Sequence, residues 1–372
     1  VIPFIDLQAQ RRRLGASLTK AISDAVEGGQ WIMGPQVTRL EAQLAEFAGV
    51  KHAVACANGT DALLIVLRAW NIGPGDAVFV PAFTFAASAE VVALVGASPV
   101  FVDVLEDTFN MDPQSLEAAI AMVKREGRLK PRAVMPVDLF GQTADYRALE
   151  PIVRRENLKM LCDAAQGFGG VLDGRRSGGI GDAASTSFFP AKPLGCFGDG
   201  GASFTNDDGL ADLLRSIRIH GQGADKYENV RIGVNSRLDT IQAAILIEKL
   251  KIFPEEIEMR EAVAQRYSKA LSRSNRIRVP RVIDGAQSTW AQYTIQVPDR
   301  DKLQADLKAK EIPTAVYYPI PLSRQKGYRE FPSAPIPVSE NLSKTVVSLP
   351  MHPYLDAATQ DRIIEAVLES VQ

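Results

Sequence analysis

The feature that most constrains this chain is a rhythm: between residues 52 and 206, short apolar, β-branched runs alternate with stretches of helical spacing. The runs are His52–Ala57, Ala77–Ala82, Pro99–Val104, Ala133–Leu139, Lys159–Ala165, Ala184–Phe189 and Ala202–Asn206. Several are apolar without alternation, the pattern of strands covered on both faces. The spacers, such as Ala62–Arg68 and Leu116–Val123, place their apolar residues on one helical stripe. This alternation predicts an α/β unit built on a mostly parallel sheet.

From about Ser236 the rhythm changes to long charged helices. Phe253-Pro254 is expected to break the helical run, with Glu255–Ser274 forming a separate, heptad-like helix. Beyond it, Trp290–Val297, Thr314–Tyr318 and Thr345–Leu349 read as strands, Asp301–Lys310 and Ala357–Ser370 as helices, and the Pro- and Ser-rich Ser323–Ser339 as a loop. The expected organisation is a large α/β domain over 1–250 and a small C-terminal α+β domain over 251–372.

Charge limits the class of partner. With 42 Lys+Arg against 44 Asp+Glu, the net charge of −2 supplies no field that gathers nucleic acid or an anionic membrane. The basic run Arg11–Arg13 reads as a solvated helix face. The longest uncharged stretch, Gly285–Pro298, has 14 residues and is too short and polar to cross a bilayer. The opening Val1–Asp6 lacks the basic and apolar regions of a secretory signal, so the cytoplasm is the expected compartment. Three scattered cysteines and three distant histidines predict neither a disulfide framework nor a metal centre.

Three segments carry residue types suited to chemistry. Asn58-Gly59-Thr60-Asp61 joins an apolar run to a helix, where backbone N–H groups, a hydroxyl and the helix dipole suit a phosphate; a plain N-cap is the alternative. Cys162-Asp163-Ala-Ala-Gln166 sets a carboxylate at the end of a buried run, where it needs a cationic partner or an elevated pKa. A protonated ring nitrogen supplies such a partner, as would a nearby arginine. The segment Ser187-Phe-Phe-Pro-Ala-Lys192-Pro-Leu-Gly sets a lysine in an apolar, proline-flanked turn, where lost solvation lowers its pKa and makes its amine a competent nucleophile toward an aldehyde. Together these are the parts of a pyridoxal 5′-phosphate site.

The chain resembles the DegT/StrS-type aminotransferases of nucleotide-linked keto sugars. The resemblance spans nearly the whole length: Phe4-Ile-Asp6-Leu7, Trp31-Ile-Met-Gly-Pro35, Ala57–Leu63, Pro81-Ala-Phe-Thr-Phe85, Asp163-Ala-Ala-Gln166, Ser187–Gly195, Gly198-Asp-Gly-Gly201, Arg218-Ile-His-Gly221, Gly233-Val-Asn-Ser-Arg237 and Tyr318-Pro319. It is strongest to a subgroup that acts on UDP-linked 3-oxo-glucuronates. What the resemblance implies is a fold-type I pyridoxal-phosphate enzyme that moves an amino group from L-glutamate to a UDP-linked 3-keto sugar, with a uronate as the favoured variant and, as alternatives, a 4-keto sugar substrate or a regulatory protein that only binds the cofactor.

By the same resemblance, Lys192 holds the cofactor's aldehyde and shuttles a proton, Asp163 keeps the ring nitrogen protonated, and Gln166 bonds the phenolic oxygen. Gly59, Thr60 and Ser187 match the phosphate contacts and Phe85 the aromatic residue that stacks on the ring. Asn235 matches a residue that reaches the phosphate from a partner subunit, which implies a homodimer with shared sites. Arg237, Tyr317 and Tyr318 match substrate-facing positions, Arg237 suiting a sugar carboxylate. Tyr317 departs from the subgroup, which carries histidine there. Asp138 stands where many relatives have histidine or serine and receives no role.

Overall fold

The computed structural model describes residues 2–372. Six of the seven expected runs become strands of one sheet and the fourth overlaps one: β1 His52–Cys56, β2 Asp76–Pro81, β3 Ser98–Val102, β4 Lys130–Val134, β5 Lys159–Asp163, then, after two short strands, β8 Ala183–Ser187 and β9 Gly201–Thr205. Their spatial order is β1-β9-β8-β5-β4-β2-β3. Pairings β3–β2, β2–β4, β4–β5 and β5–β8 are parallel, whereas β9 runs antiparallel to both β8 and β1. One reversed strand in an otherwise co-directional sheet therefore leaves the carboxyl ends of β1, β2, β4, β5 and β8 on a single edge. The β8–β9 register closes with Ser187 opposite Gly201.

Helices cover both faces, which is why the strands carry no polar alternation. Helix Gly59–Ala69 is buried at Ala62 through Leu67 and packs with Val54, Val78 and Leu161 on one side of the sheet. Leu40, Leu44, Phe168 and Phe253 pack with Ala55, Phe79 and Val134 on the other. A fully buried Leu or Phe side chain contributes on the order of 1.5–3 kcal/mol, so these two layers dominate the stability of the large unit.

The short strands β6 Val171–Leu172 and β7 Arg175–Arg176 form a small sheet with β10 Ala286–Gln287. The C-terminal part contains β11 Tyr293–Gln296 paired antiparallel with β12 Val346–Leu349, flanked by helices Arg300–Ala309 and Ala357–Ser370. Its core of Tyr267, Tyr293, Leu307, Val347 and Ile363 is separate from that of the large sheet. Among the described residues no helix is long and apolar enough to cross a membrane.

Four sequence expectations need correction. Phe253-Pro254 does not break the helix, which runs without interruption from Thr240 to Leu271. Proline removes one backbone donor at a cost of about 3 kcal/mol, but the residues around it are anchored. Phe253 lies 5.5 Å from the Phe47 ring and stacks on Phe168, and Ile257 is buried beside it. Packing on both sides of the proline outweighs the missing bond. The expected boundary at 250/251 therefore falls inside one helix. The fourth strand lies at Lys130–Val134 and not at Ala133–Leu139, because Pro136 has no N–H for a ladder. Thr314–Tyr318 holds only a single bridge, Ala315 to Ser348. Finally, the loop Ser323–Ser339 ends early, since Pro337 at the first position of helix Pro337–Thr345 is preset for helical φ.

Candidate active site

The carboxyl edge of the sheet opens into a cavity of about 690 Å³. Its walls include Gly59, Thr60, Phe85, Asp163, Gln166, Ser187, Lys192, Tyr317 and Tyr318. Nine of the residues singled out from the sequence thus converge: Gly59 and Thr60 follow β1, Phe85 follows β2, Asp163 and Gln166 lie at and after the end of β5, Ser187 and Lys192 at and after the end of β8, and Tyr317 and Tyr318 arrive from the C-terminal part.

Asn58 caps helix Gly59–Ala69 by accepting from the Asp61 N–H at 2.8 Å. The N–H groups of Gly59 and Thr60 have no protein acceptor among the described residues. They point out of a helix N-terminus beside Ser187, at the end of β8. A Cβ on Gly59 would stand 2.6 Å from the Cβ of Ser187. Only glycine lets the two backbones approach, and the result is a nest of two amides and two hydroxyls, from Thr60 and Ser187, matched to an anion of phosphate size.

Asp163, at the end of β5, is 5 % exposed. Ser88 Oγ donates to its Oδ2 at 2.9 Å and the Ala165 N–H to its Oδ1 at 3.1 Å. Burial still pushes its pKa up, with the two hydrogen bonds and the charge of Lys192 opposing. Lys192, in the turn after β8, is partly buried, and desolvation pulls its pKa down against the attraction of Asp163. Its amine makes no hydrogen bond or ion pair among the described residues. The two groups face one cavity without contact, leaving space for something cationic against the carboxylate and reactive toward the amine.

Gln166 is buried, its Oε1 accepting from the Phe140 N–H at 2.7 Å and its Nε2 donating to the Tyr318 hydroxyl at 3.1 Å. Burial pushes the Tyr318 phenol well above its ordinary range. Phe85 is 56 % exposed with its ring 6.4 Å from that of Tyr318, so the cavity carries an uncovered aromatic wall. Phosphate nest, carboxylate, amine and aromatic wall form a donor set that fits a flat, cationic, phosphorylated ring.

Two expected residues lie elsewhere. Asn235 is exposed on a segment bridged to Ile219, outside this cavity. Arg237 lines a second concavity of about 720 Å³ with His220, Lys226 and Arg231, and among the described residues no Asp or Glu lines it. The guanidinium forms no ion pair among the described residues, the nearby Asp239 included.

Sequence reasoning missed two residues of the main cavity region. Ser88 is fully buried against Asp163 and reads in sequence as an ordinary helix residue. Gln292 lines the cavity with a buried Oε1 that has no partner among the described residues, and it arrives from the C-terminal part. Asp138, left without a role, is fully buried. It accepts from the Ala144 N–H at 2.8 Å, from the Tyr146 hydroxyl at 2.7 Å and from Ser177. Desolvation raises its pKa to about 6 despite those donors. It braces the turn behind Asp163, whose carbonyl accepts the Asp138 N–H at 2.9 Å.

Comparison with known proteins places these features. The family model described as DegT/DnrJ/EryC1/StrS aminotransferase matches residues 13–368. A UDP-2-acetamido-2-deoxy-3-oxo-D-glucuronate aminotransferase of Pseudomonas aeruginosa is 48 % identical over 359 residues, covering 96 % of this chain and 97 % of that protein. The crystal structure of a DegT DnrJ EryC1 StrS aminotransferase from Brucella abortus superposes with a TM-score of 0.98 at 53 % identity over the whole of both chains. The Bacillus subtilis protein NtdA, solved with bound cofactor PMP, superposes at a TM-score of 0.89 with 28 % identity, covering 100 % of this chain and 85 % of that one.

Proposed function

The chain belongs to the DegT/DnrJ/EryC1/StrS aminotransferase family, and from that premise we propose that it transfers the amino group of L-glutamate to the ketone of a UDP-linked 3-keto sugar bearing a 6-carboxylate. One observation carries the reading: Lys192 and Asp163 face a single cavity beside an anion nest. The sugar class is supported by the 48 % identity to the Pseudomonas aeruginosa 3-oxo-glucuronate enzyme over nearly the full length of both chains.

Pyridoxal 5′-phosphate, the cofactor of this reading, supplies an electron-poor ring and an aldehyde through which an amino group passes from one carbonyl carbon to another. The amides of Gly59 and Thr60 and the hydroxyls of Thr60 and Ser187 would bind its phosphate. Asp163 would hold the proton on the ring nitrogen, and that cation in turn satisfies a carboxylate otherwise buried at a cost. Phe85 would cover one ring face and exclude water. Burial lowers the pKa of Lys192 and so favours its neutral form, whose Nζ would take the proton from Cα of the amino donor. Gln166, held between Phe140 and Tyr318, would hydrogen-bond the ring's phenolic oxygen.

The reading includes a homodimer in which Asn235 of one subunit completes the phosphate site of the other. Its support is the exposure of Asn235 and the unpaired Arg237 beside it. In such an assembly the second, cationic concavity would meet the partner's cavity, and Arg237 would serve the sugar carboxylate there.

The test combines cofactor, L-glutamate and a panel of nucleotide-linked keto sugars with the purified protein. Formation of an amino sugar and 2-oxoglutarate from the UDP-linked 3-keto uronate, with borohydride fixing the cofactor on Lys192, is the expected outcome. Turnover confined to 4-keto sugars rejects the substrate, and fixation on another lysine rejects the site.

A further inference from the structure

Lys249 lies in mid-helix on Thr240–Leu271, is only 1 % exposed, and has no carboxylate within ion-pair distance among the described residues. Burying an unpaired ammonium is costly, so the fold must draw something from it. Its Nζ donates to the Gly195 carbonyl at 2.6 Å and sits 4.6 Å from the centre of the Phe197 ring. Burial draws its pKa down to about 8, with the charges of Glu256 and Cys196 opposing.

Gly195 closes the turn that carries Lys192. The Lys192 N–H donates to the Phe189 carbonyl and the Cys196 N–H to the Phe188 carbonyl, both at 2.8 Å. A Cβ on Gly195 would stand 2.5 Å from the Pro190 carbonyl oxygen and 2.6 Å from that of Phe189. The glycine backbone is therefore pressed against the start of the same turn. Its own carbonyl accepts from Lys249, and among the described residues no other donor reaches it. Gln242, two turns earlier on the long helix, accepts the Phe197 N–H at 2.8 Å. The helix thus grips the far limb of the turn at two points.

We propose that Lys249 is a positioning residue for Lys192, its buried ammonium clamping the Gly195 carbonyl so that the lysine-bearing turn holds one conformation before any ligand arrives. The proposal rests on the reading of Lys192 as the cofactor-binding amine. Lys249 touches neither cofactor nor substrate; it acts through Gly195.

The test replaces Lys249 by Met, which keeps the stem and removes the donor, with the exposed Lys251→Met as control. In cofactor-free protein, amide hydrogen exchange over residues 188–198 should accelerate about ten- to a hundredfold in Lys249→Met, the equivalent of losing one hydrogen bond to a charged group. The rest of the sheet should keep its protection, and Lys251→Met should match wild type. After loading, the visible circular dichroism of the cofactor should weaken and kcat should fall with the KM for L-glutamate retained. If Lys249→Met does not fold, Lys249→Gln, a shorter donor, carries the same comparison with a smaller acceleration. Wild-type exchange and dichroism in the substituted chain overturn the positioning role. Failure of borohydride to fix cofactor on Lys192 in the unsubstituted protein overturns the underlying reading instead, and the two failures are distinct.

Discussion

Gly59 and Ser187 are in backbone contact across the mouth of the sheet: a methyl group on the glycine would stand 2.6 Å from the serine Cβ and 3.1 Å from its Oγ. Gly59→Ala therefore pushes the opening of helix 59–69 away from β8 and spreads the anion nest. The expected result is a folded protein whose affinity for pyridoxal phosphate falls at least tenfold, read by equilibrium titration of cofactor fluorescence. Unchanged affinity refutes the phosphate assignment.

Asp163→Asn separates folding from catalysis. The carboxylate is held at a raised pKa by burial, so a neutral amide that still accepts from Ser88 leaves the cofactor-free fold as stable as before or slightly more so. Turnover should drop by two orders of magnitude or more, roughly 3 kcal/mol of lost transition-state stabilisation, because an amide no longer favours the protonated ring nitrogen. Melting curves and single-turnover rates check the two halves; near-normal rates would show that the carboxylate has no such part.

Asp138 gives a pH signature. Its folded pKa, about 6, lies above the ordinary carboxylate value of 3.8, so the folded state binds this proton more tightly than the unfolded state. Its contribution is fully present below about pH 4 and is lost as the pH rises through 6, a change on the order of 3 kcal/mol. Asp138→Asn retains an acceptor for Ala144 and Tyr146 and should not show that loss. The stability difference between wild type and Asp138→Asn, followed by urea unfolding from pH 4 to 7, should move in the variant's favour across this window; a flat difference rejects the assignment.

Shared sites predict complementation. Lys192→Ala and Asn235→Asp chains should each be inactive, and verified mixed dimers should regain activity, because one of the two hybrid sites receives both intact residues. Mixed dimers without activity count against the shared site.

A role for Arg237 in holding the sugar carboxylate predicts a difference between acidic and neutral sugars. Removing a guanidinium that pairs with a carboxylate costs about 1.5–3 kcal/mol, so Arg237→Ala should lower kcat/KM for the uronate by roughly ten- to a hundredfold and spare a neutral 3-keto sugar. Equal losses on both substrates make the residue scaffolding.

The sheet was legible because strands buried on both faces declare themselves as unbroken apolar runs, and seven of the nine cavity residues were legible because each sits in a short phrase at or after the end of such a run, Tyr317 and Tyr318 being the exceptions. What escaped was set by contacts between distant segments. Nothing local in Leu250–Pro254 announces that Phe47 and Phe168 will hold the helix through a proline. Ser88 and Gln292 reach the cavity region only after helix Ala87–Leu94 and the C-terminal part are docked. Arg237 was expected to face the sugar from the start, yet within one chain it opens onto a separate concavity. That distinction belongs to the arrangement of surfaces and has no signature in residue spacing.

The reversed direction of β9 has an entropic consequence. Because Ser187 is paired with Gly201, residues 188–200 leave and rejoin the sheet at neighbouring points, and the fold itself meets the entropy of closing that loop. An arriving ligand finds the lysine's tether already short and fixed at both ends, so little of its binding free energy is consumed in ordering the chain. Lengthening this loop by inserted glycines would restore that disorder and should weaken cofactor retention in proportion to the freedom introduced, even though every contacting side chain is kept.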